Sequence, residues 1–161
     1  ALAVAVRTRQ ATGVDAVEFL FAPNPGEGMQ PLRKIASSGE AARVMLAVKT
    51  VLSAADQIPV LVFDEVDANI GGRVAVQVAR EMRHLGSRHQ VFSVTHLAQL
   101  AAAGHCHYQV RKKVEDGRTL TLMEPLASAA REQELIRMTG AAAGSAAALG
   151  HVREIVAEVA K

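Results

Sequence analysis

Along the 161 residues of the chain the spacing of apolar positions changes several times, and each change marks an element. Residues 2–9 alternate, with Leu2, Val4 and Val6 on one side and Arg7 and Arg9 near the end, which predicts a strand. Val17–Phe21 predicts a second strand, with Thr12-Gly13 and Asp15 marking the turn between them. Residues 22–31 (APNPGEGMQP) read as a loop. From Glu40 to Ala54 the period becomes helical: Val44, Val48 and Val51 share one face, and Arg43 and Lys49 lie off it. Val60–Phe63 is wholly apolar, as a buried parallel strand requires. Residues 73–85 form the clearest amphipathic helix, with Val74, Val78, Met82 and Leu85 as the buried stripe and Arg73, Gln77, Arg80 and His84 as the wet one. Gly86 is the expected stop.

Gln90–Val94 repeats the short apolar pattern, so the middle of the chain reads strand, helix, strand. That order predicts a right-handed crossover in a parallel sheet. A short Ala-rich helix follows from Thr95-His96 to Ala103. Residues 105–111 and 118–123 then predict a hairpin around Glu115-Asp116-Gly117. Two helices close the chain, Ser128–Met138 and Ala146–Ala160, the last with Leu149, Val152, Ile155, Val156 and Val159 on one face. The pattern as a whole predicts a single α/β domain: a parallel sheet core, flanking helices and a late hairpin, with no internal repeat and no long linker.

Composition narrows the function classes. Half of the residues are apolar, enough for a sizeable core, while aromatics make up only 3%. That argues against a module that stacks bases on aromatic platforms. A net charge of +2, from 18 Lys+Arg against 16 Asp+Glu, is too mild to announce a polyanion partner. The single cysteine, Cys106, excludes an internal disulfide and a multi-cysteine metal site, and fits a reducing compartment. His105 and His107 flank it, but no second ligand pair accompanies them, so metal capture there is disfavoured. No apolar run reaches the length of a bilayer, so no membrane partner is expected. Arg111, Lys112, Lys113 and Arg118 cluster on the predicted hairpin, where a charge run ordinarily makes a solvated face.

Three segments carry chemistry. The strand Val60–Phe63 delivers two adjacent acids, Asp64 and Glu65, beyond its carboxyl end, where ligands sit in open α/β sheets. One suits a hydrated Mg²⁺ on phosphates and the other the attacking water, although acidic turns after apolar strands are also ordinary. Ile35-Ala36-Ser37-Ser38-Gly39-Glu40 places small residues before a long helix, which suits either an anion at its positive end or a simple N-cap by Ser37 or Ser38. His96 leaves the strand that ends at Val94, with reach to a γ-phosphate or a water, or with no role beyond a helix start.

In this order and spacing the three segments resemble the ABC-type ATPase head. Ala36-Ser37-Ser38-Gly39-Glu40 resembles its signature motif, Phe63-Asp64-Glu65 the end of Walker B, residues 67–72 the D-loop, and Val94-Thr95-His96 the switch-histidine segment. The strings Val17–Phe21, Asn24-Pro25-Gly26-Glu27, the nine residues from Asp64, and Val94–Gln99 are similar to the SMC-like heads of bacterial double-strand-break repair. The resemblance implies ATP and Mg²⁺ as cofactors, Glu65 and His96 as catalytic residues, and Asp64 on the metal through water. It implies that Ser37, Ser38, Gly39, Glu40 and Asp67 serve nucleotide binding, the signature residues facing the ATP of an opposite head in an ATP-dependent homodimer. DNA as a partner, a role in recombinational repair, and a place in the cytoplasm at the bacterial nucleoid follow from the same resemblance.

There are two departures. Ser38 stands where the signature normally has its first glycine, and no G-x-x-x-x-G-K-[ST] phosphate loop occurs. Gly140–Ser145 has two glycines but no lysine and reads as a helix connection. The resemblance therefore places the phosphate loop in an amino-terminal half beyond a coiled-coil arm. This chain is expected to be the carboxy-terminal half of the head, inactive until joined to that partner. Two rivals stay open: the nucleotide-binding subunit of a membrane transporter, and a non-catalytic lobe that dimerises or docks DNA.

Overall fold

The computed structural model describes residues 2–7, 16–22, 26, 28–35, 37–142 and 144–161. The expected turn at Thr12-Gly13 and Asp15, the end of the first strand at Arg9, most of Asn24–Glu27, and Ala36 lie outside them. In chain order come β1 (Leu2–Arg7), β2 (Ala16–Phe21), β3 (Gln30–Pro31), α1 (Leu32–Ile35), α2 (Ser38–Leu52), β4 (Val60–Phe63), α3 (Gly72–Leu85), β5 (Gln90–Ser93), α4 (Ala98–Ala103), β6 (Tyr108–Glu115), β7 (Arg118–Pro125), α5 (Ser128–Met138) and α6 (Ala146–Val159). The mixed α/β class holds.

The strands form three small sheets. β1, β2 and β3 are antiparallel, with Val4 opposite Phe19 and Leu20 opposite Pro31. The expected loop at 22–31 therefore ends in a short third strand. β4 and β5 are parallel, in register from Val60 opposite Gln90 to Phe63 opposite Ser93. β6 and β7 form the hairpin, longer than the apolar pattern suggested. Asp116 and Gly117 both have positive φ, 50° and 73°, which is why an Asp-Gly pair closes a two-residue turn here.

The core gathers around α3. Ala75, Val78, Ala79, Met82 and Leu85 are buried, and they join Leu61 and Phe63 of β4, Leu100 and the alanines of α4, Leu135 and Ile136 of α5, and Val152, Ile155 and Val159 of α6. Small alanines on α3 and α4 let the helices approach closely. Val74 and Val156, placed on buried faces by their spacing, are exposed at the margins of their stripes, and Val51 points outward from α2. Gly86 caps α3 in an ordinary right-handed conformation, with φ −64°, so the helix ends without the left-handed turn expected of a glycine stop.

Arginines tie the helix ends together. Arg80, read as wet, donates from Nε and Nη2 to Glu158 O at 2.9 and 2.8 Å, at the carboxyl end of α6. Arg131 donates to the carbonyls of Ala101, Ala102 and Gly104, and Arg83 to that of Ala103, so two guanidinium groups satisfy the end of α4. Carbonyls at a helix carboxyl end lack intrahelical partners and carry partial negative charge, so cations there do both jobs.

One expectation about burial fails in an informative way. β4 is not buried on both faces. Leu61 and Phe63 point into the core, but Val60 and Val62 are 47% and 68% exposed, and Phe92 and Val94 beside them are 52% and 65% exposed. The register explains the pattern, because alternate residues of paired strands share a face. One face of this two-stranded sheet packs on helices; the other is apolar and bare.

Candidate functional site

The site is built where β4 and β5 end. Phe63 pairs with Ser93, and Val94 N–H still donates to Phe63 O at 3.1 Å, so the two strands leave the sheet side by side. Asp64 follows β4 and is exposed; its Oδ1 accepts the Glu65 N–H at 2.9 Å. Glu65 is exposed and has φ 56°, a left-handed conformation uncommon outside glycine. The chain then turns sharply. Ala68 N–H donates to Glu65 O at 2.9 Å, and Asn69 is again left-handed, with φ 57°. Val66, fully buried, plugs the underside of the turn.

Asp67 is 3% exposed, and its carboxylate faces inward. Its Oδ2 accepts the Thr95 hydroxyl at 2.5 Å and the His96 N–H at 2.9 Å, and lies 3.1 Å from His96 Nδ1. Burial pushes the Asp67 carboxyl upward, but the bonds from Thr95 and His96 and the charge of the His96 ring together hold it below the ordinary aspartate value. Thr95 Oγ1 in turn accepts the Leu97 N–H at 3.0 Å. The acid turn and the histidine loop are thus one unit, with Asp67 as its rivet. The resemblance had given Asp67 to nucleotide binding; here the carboxylate is committed inside the chain. The imidazole of His96 stands out in solvent beside the exit that carries Asp64 and Glu65.

The signature segment caps α2. Ser37 Oγ accepts the Glu40 N–H at 3.4 Å, and Glu40 Oε2 accepts the Ser37 N–H at 3.2 Å, a reciprocal capping box. The N-cap reading of Ser37 is therefore correct, and the Glu40 carboxylate folds back on its own helix. Ser37 and Ser38 are exposed, while Gly39 is buried. A Cβ at Gly39 would lie 2.8 Å from Ala68 Cβ and 3.0 Å from Glu65 O, so this glycine lets the helix start press against the acid turn.

Arg43, which the apolar pattern merely placed off the buried face, extends this contact: its Nη1 donates to Val66 O at 3.3 Å and to Ala68 O at 2.9 Å. Nothing local in the sequence announces it, because both acceptors are backbone carbonyls. Thr95 was read only as part of a motif, and its hydroxyl proves to bridge the two loops.

Among the described residues no group of three or more His, Cys, Asp and Glu is placed to hold a metal. Asp64 alone fits a hydrated Mg²⁺ that takes its remaining ligands from phosphates and water, because one oxygen of an exposed carboxylate is left over from the Glu65 N–H bond. Around Cys106, which is exposed, His107 is half-buried and its Nδ1 has no hydrogen-bond partner.

No family model matches the chain. Individual proteins do: the DNA repair protein RecN of Deinococcus radiodurans is 50% identical over 147 residues, 91% of this chain and 26% of that protein. Over nine-tenths of its length the chain is RecN-like. RecN of Xylella fastidiosa is 50% identical over 80% of the chain, and RecN of Bacillus subtilis 37% identical over 89%. The RecN-like chain spans about a quarter of the length of the curated relatives it matches. Its fold is that of an SMC head lobe. The Smc head domain of Pyrococcus yayanosii aligns with a TM-score of 0.65 at 17% identity, covering 86% of this chain and 26% of that one. An SMC ATPase studied for ATP-driven dimerization and DNA-stimulated activation aligns at 0.53 and 14% identity, covering 86% and 81%.

Proposed function

We propose that the chain supplies the hydrolytic carboxylates, the switch histidine and the signature segment of an SMC-like ATPase head in a DNA double-strand-break repair and recombination protein. The observation that carries this reading is the Asp67 rivet. It holds the acid turn against Thr95-His96, so that Asp64, Glu65 and His96 are presented together at the carboxyl ends of two paired parallel strands. The similarity to RecN favours repair over the transporter subunit.

Each side chain then has a task. Asp64 would hold Mg²⁺ through water. Glu65 accepts a proton from the attacking water, and its left-handed backbone sets the carboxylate apart from that of Asp64. His96, oriented by Asp67, donates to the γ-phosphate. Bound Mg²⁺ would neutralise developing phosphate charge. Ser37 and Ser38, exposed at the positive end of α2, face the ATP of a second head in an ATP-dependent homodimer. The bare face at Val60, Val62, Phe92 and Val94 is the seat for the amino-terminal half, which brings the phosphate loop. DNA is the partner that the repair role requires, and the cytoplasm at the nucleoid is where it would be met.

The test uses the full-length protein. Glu65→Gln should keep ATP bound and slow single-turnover hydrolysis by about 10²–10⁴-fold, the usual worth of a positioned general base. Asp64→Asn should weaken Mg-ATP binding as well as cleavage. Hydrolysis at the wild-type rate by Glu65→Gln would end the enzymatic reading, and the non-catalytic lobe would replace it.

A further inference from the structure

We propose that Arg43 is a positioning residue for the hydrolytic carboxylate, and that Arg43 and Gly39 clasp the start of α2 to the acid turn so that the two move as one body. The proposal rests on the ATPase reading above and adds a residue to it. Arg43 reaches out of α2 and donates to two carbonyls of the turn, Val66 O and Ala68 O, which lie 23 and 25 residues further along the chain. These carbonyls belong to the first and third residues after Glu65, whose left-handed φ sets the direction in which its side chain leaves the backbone. Beside this guanidinium Gly39 leaves no gap, since a Cβ there would lie 3.0 Å from Arg43 Nη1 and from the Glu65 carbonyl oxygen and 2.8 Å from Ala68 Cβ.

The two contacts are complementary. Gly39 sets how closely helix and turn approach, and the guanidinium sets their rotation by bridging two acceptors. The Glu65 carbonyl is also the acceptor of the Ala68 N–H that closes the turn. A shift of α2 is therefore a shift of the backbone that aims Glu65. Ser37 and Ser38 occupy the other side of the same helix start, exposed. A second head that seats on them acts on Glu65 through Gly39 and Arg43, without touching it.

Arg43→Ala in the full-length protein is the first test. Displacing a catalytic group by about 1 Å costs on the order of 10²-fold. The expected result is a kcat of the folded enzyme lowered by up to that factor, with KM for ATP and ATP-dependent dimerisation in sedimentation held and a modest drop in the thermal midpoint from the two carbonyls left without their donor. Arg43→Lys, which keeps one donor, should recover part of the rate. A merely structural arginine would lower the thermal midpoint and leave kcat of the folded fraction unchanged; that result overturns the proposal.

Gly39→Ala with and without Ala68→Gly is the second test, and it decides if Arg43→Ala does not fold. The single variant should lose turnover, and the pair should regain part of it, because the second change removes the closest clash at 2.8 Å. No recovery in the pair overturns the clasp. Glu65→Gln, measured in parallel, separates the two ideas. If it stops hydrolysis while Arg43→Ala runs at the wild-type rate, the ATPase reading stands and the clasp falls. If Glu65→Gln has no effect either, both fall.

Discussion

The acid turn and the outer face of the β4–β5 sheet lie within a few residues of each other, and they are finished to different degrees. In the turn, a buried carboxylate has three partners, an arginine bridges two carbonyls, and a glycine is fitted against a methyl group. On the sheet face, Val60, Val62, Phe92 and Val94 stand in water with apolar side chains. A polar junction has to be completed within the chain, since a buried polar group without a partner costs about 1–3 kcal/mol. An apolar face can wait for a cover, because contiguous exposed apolar surface on an otherwise folded lobe marks a place where something binds. The acid turn is thus completed by groups of this chain, while the sheet face beside it is left apolar and exposed.

The largest expected effects lie on the two sides of β4. Leu61→Ala, on the packed face, should lower stability by about 2–5 kcal/mol in urea unfolding, as cavities in a helix-covered core do. Val62→Ala, one residue along on the bare face, should stay within about 0.5 kcal/mol in this chain. In the full-length protein, Val62→Ala should become costly as the cover is bound. An equal and negligible cost in both settings would mean that nothing seats on the face and would break the comparison.

The next effect probes the finished side. Asp67→Ala leaves the Thr95 hydroxyl and the His96 N–H without their acceptor, for a loss of about 1–3 kcal/mol. It should also free the histidine loop, so hydrogen exchange at the His96 amide should accelerate far more than at Leu85 in the core. Unchanged protection at His96 would show that Thr95 and Leu97 hold the loop without Asp67.

What the sequence made legible follows from how local each signal is. The period of α3, the ends of α5, the apolar runs of β4 and β5 and the Asp-Gly turn are properties of neighbouring residues, and they fell within a few residues of the structure. The pair Asp64-Glu65 and His96 stand out in the sequence because they follow two short apolar runs. Their joint presentation was not legible, since it depends on the register of two strands and on Asp67, a residue whose inward turn no spacing reveals. Arg43 was illegible for a related reason: its acceptors are carbonyls, which every residue has. The apolar run of β4 misled about burial because both of its faces are apolar, while only one is covered by this chain.

The smallest effect is on pH, and it extends the contrast to the junction of α5 with the hairpin. His107 sits half-buried between Arg131 and Glu134; burial and the Arg131 charge hold its imidazole below the ordinary histidine value of 6.5, against the pull of Glu134. Glu134 is itself held below 4.5, first by its hydrogen bond from Arg137 and by the nearby charges and the Gln109 bond, with burial opposing. Asp67 is likewise held low. All three bind a proton less readily folded than unfolded, so the unfolded chain takes up more protons as pH falls, and stability drops with it. Their order is set by their ordinary values. The His107 contribution is whole above 6.5 and declines from there down to its folded value. Those of Glu134 and Asp67 are whole above the ordinary carboxylate range and vanish only as pH falls through their lowered folded values. The urea midpoint should therefore sag in two stages. His107→Gln should flatten the first stage, just below pH 6.5, and leave the acid stage in place. An unchanged first stage would assign it to another group, and a flattened acid stage would show that the histidine and the carboxylates titrate as one cluster.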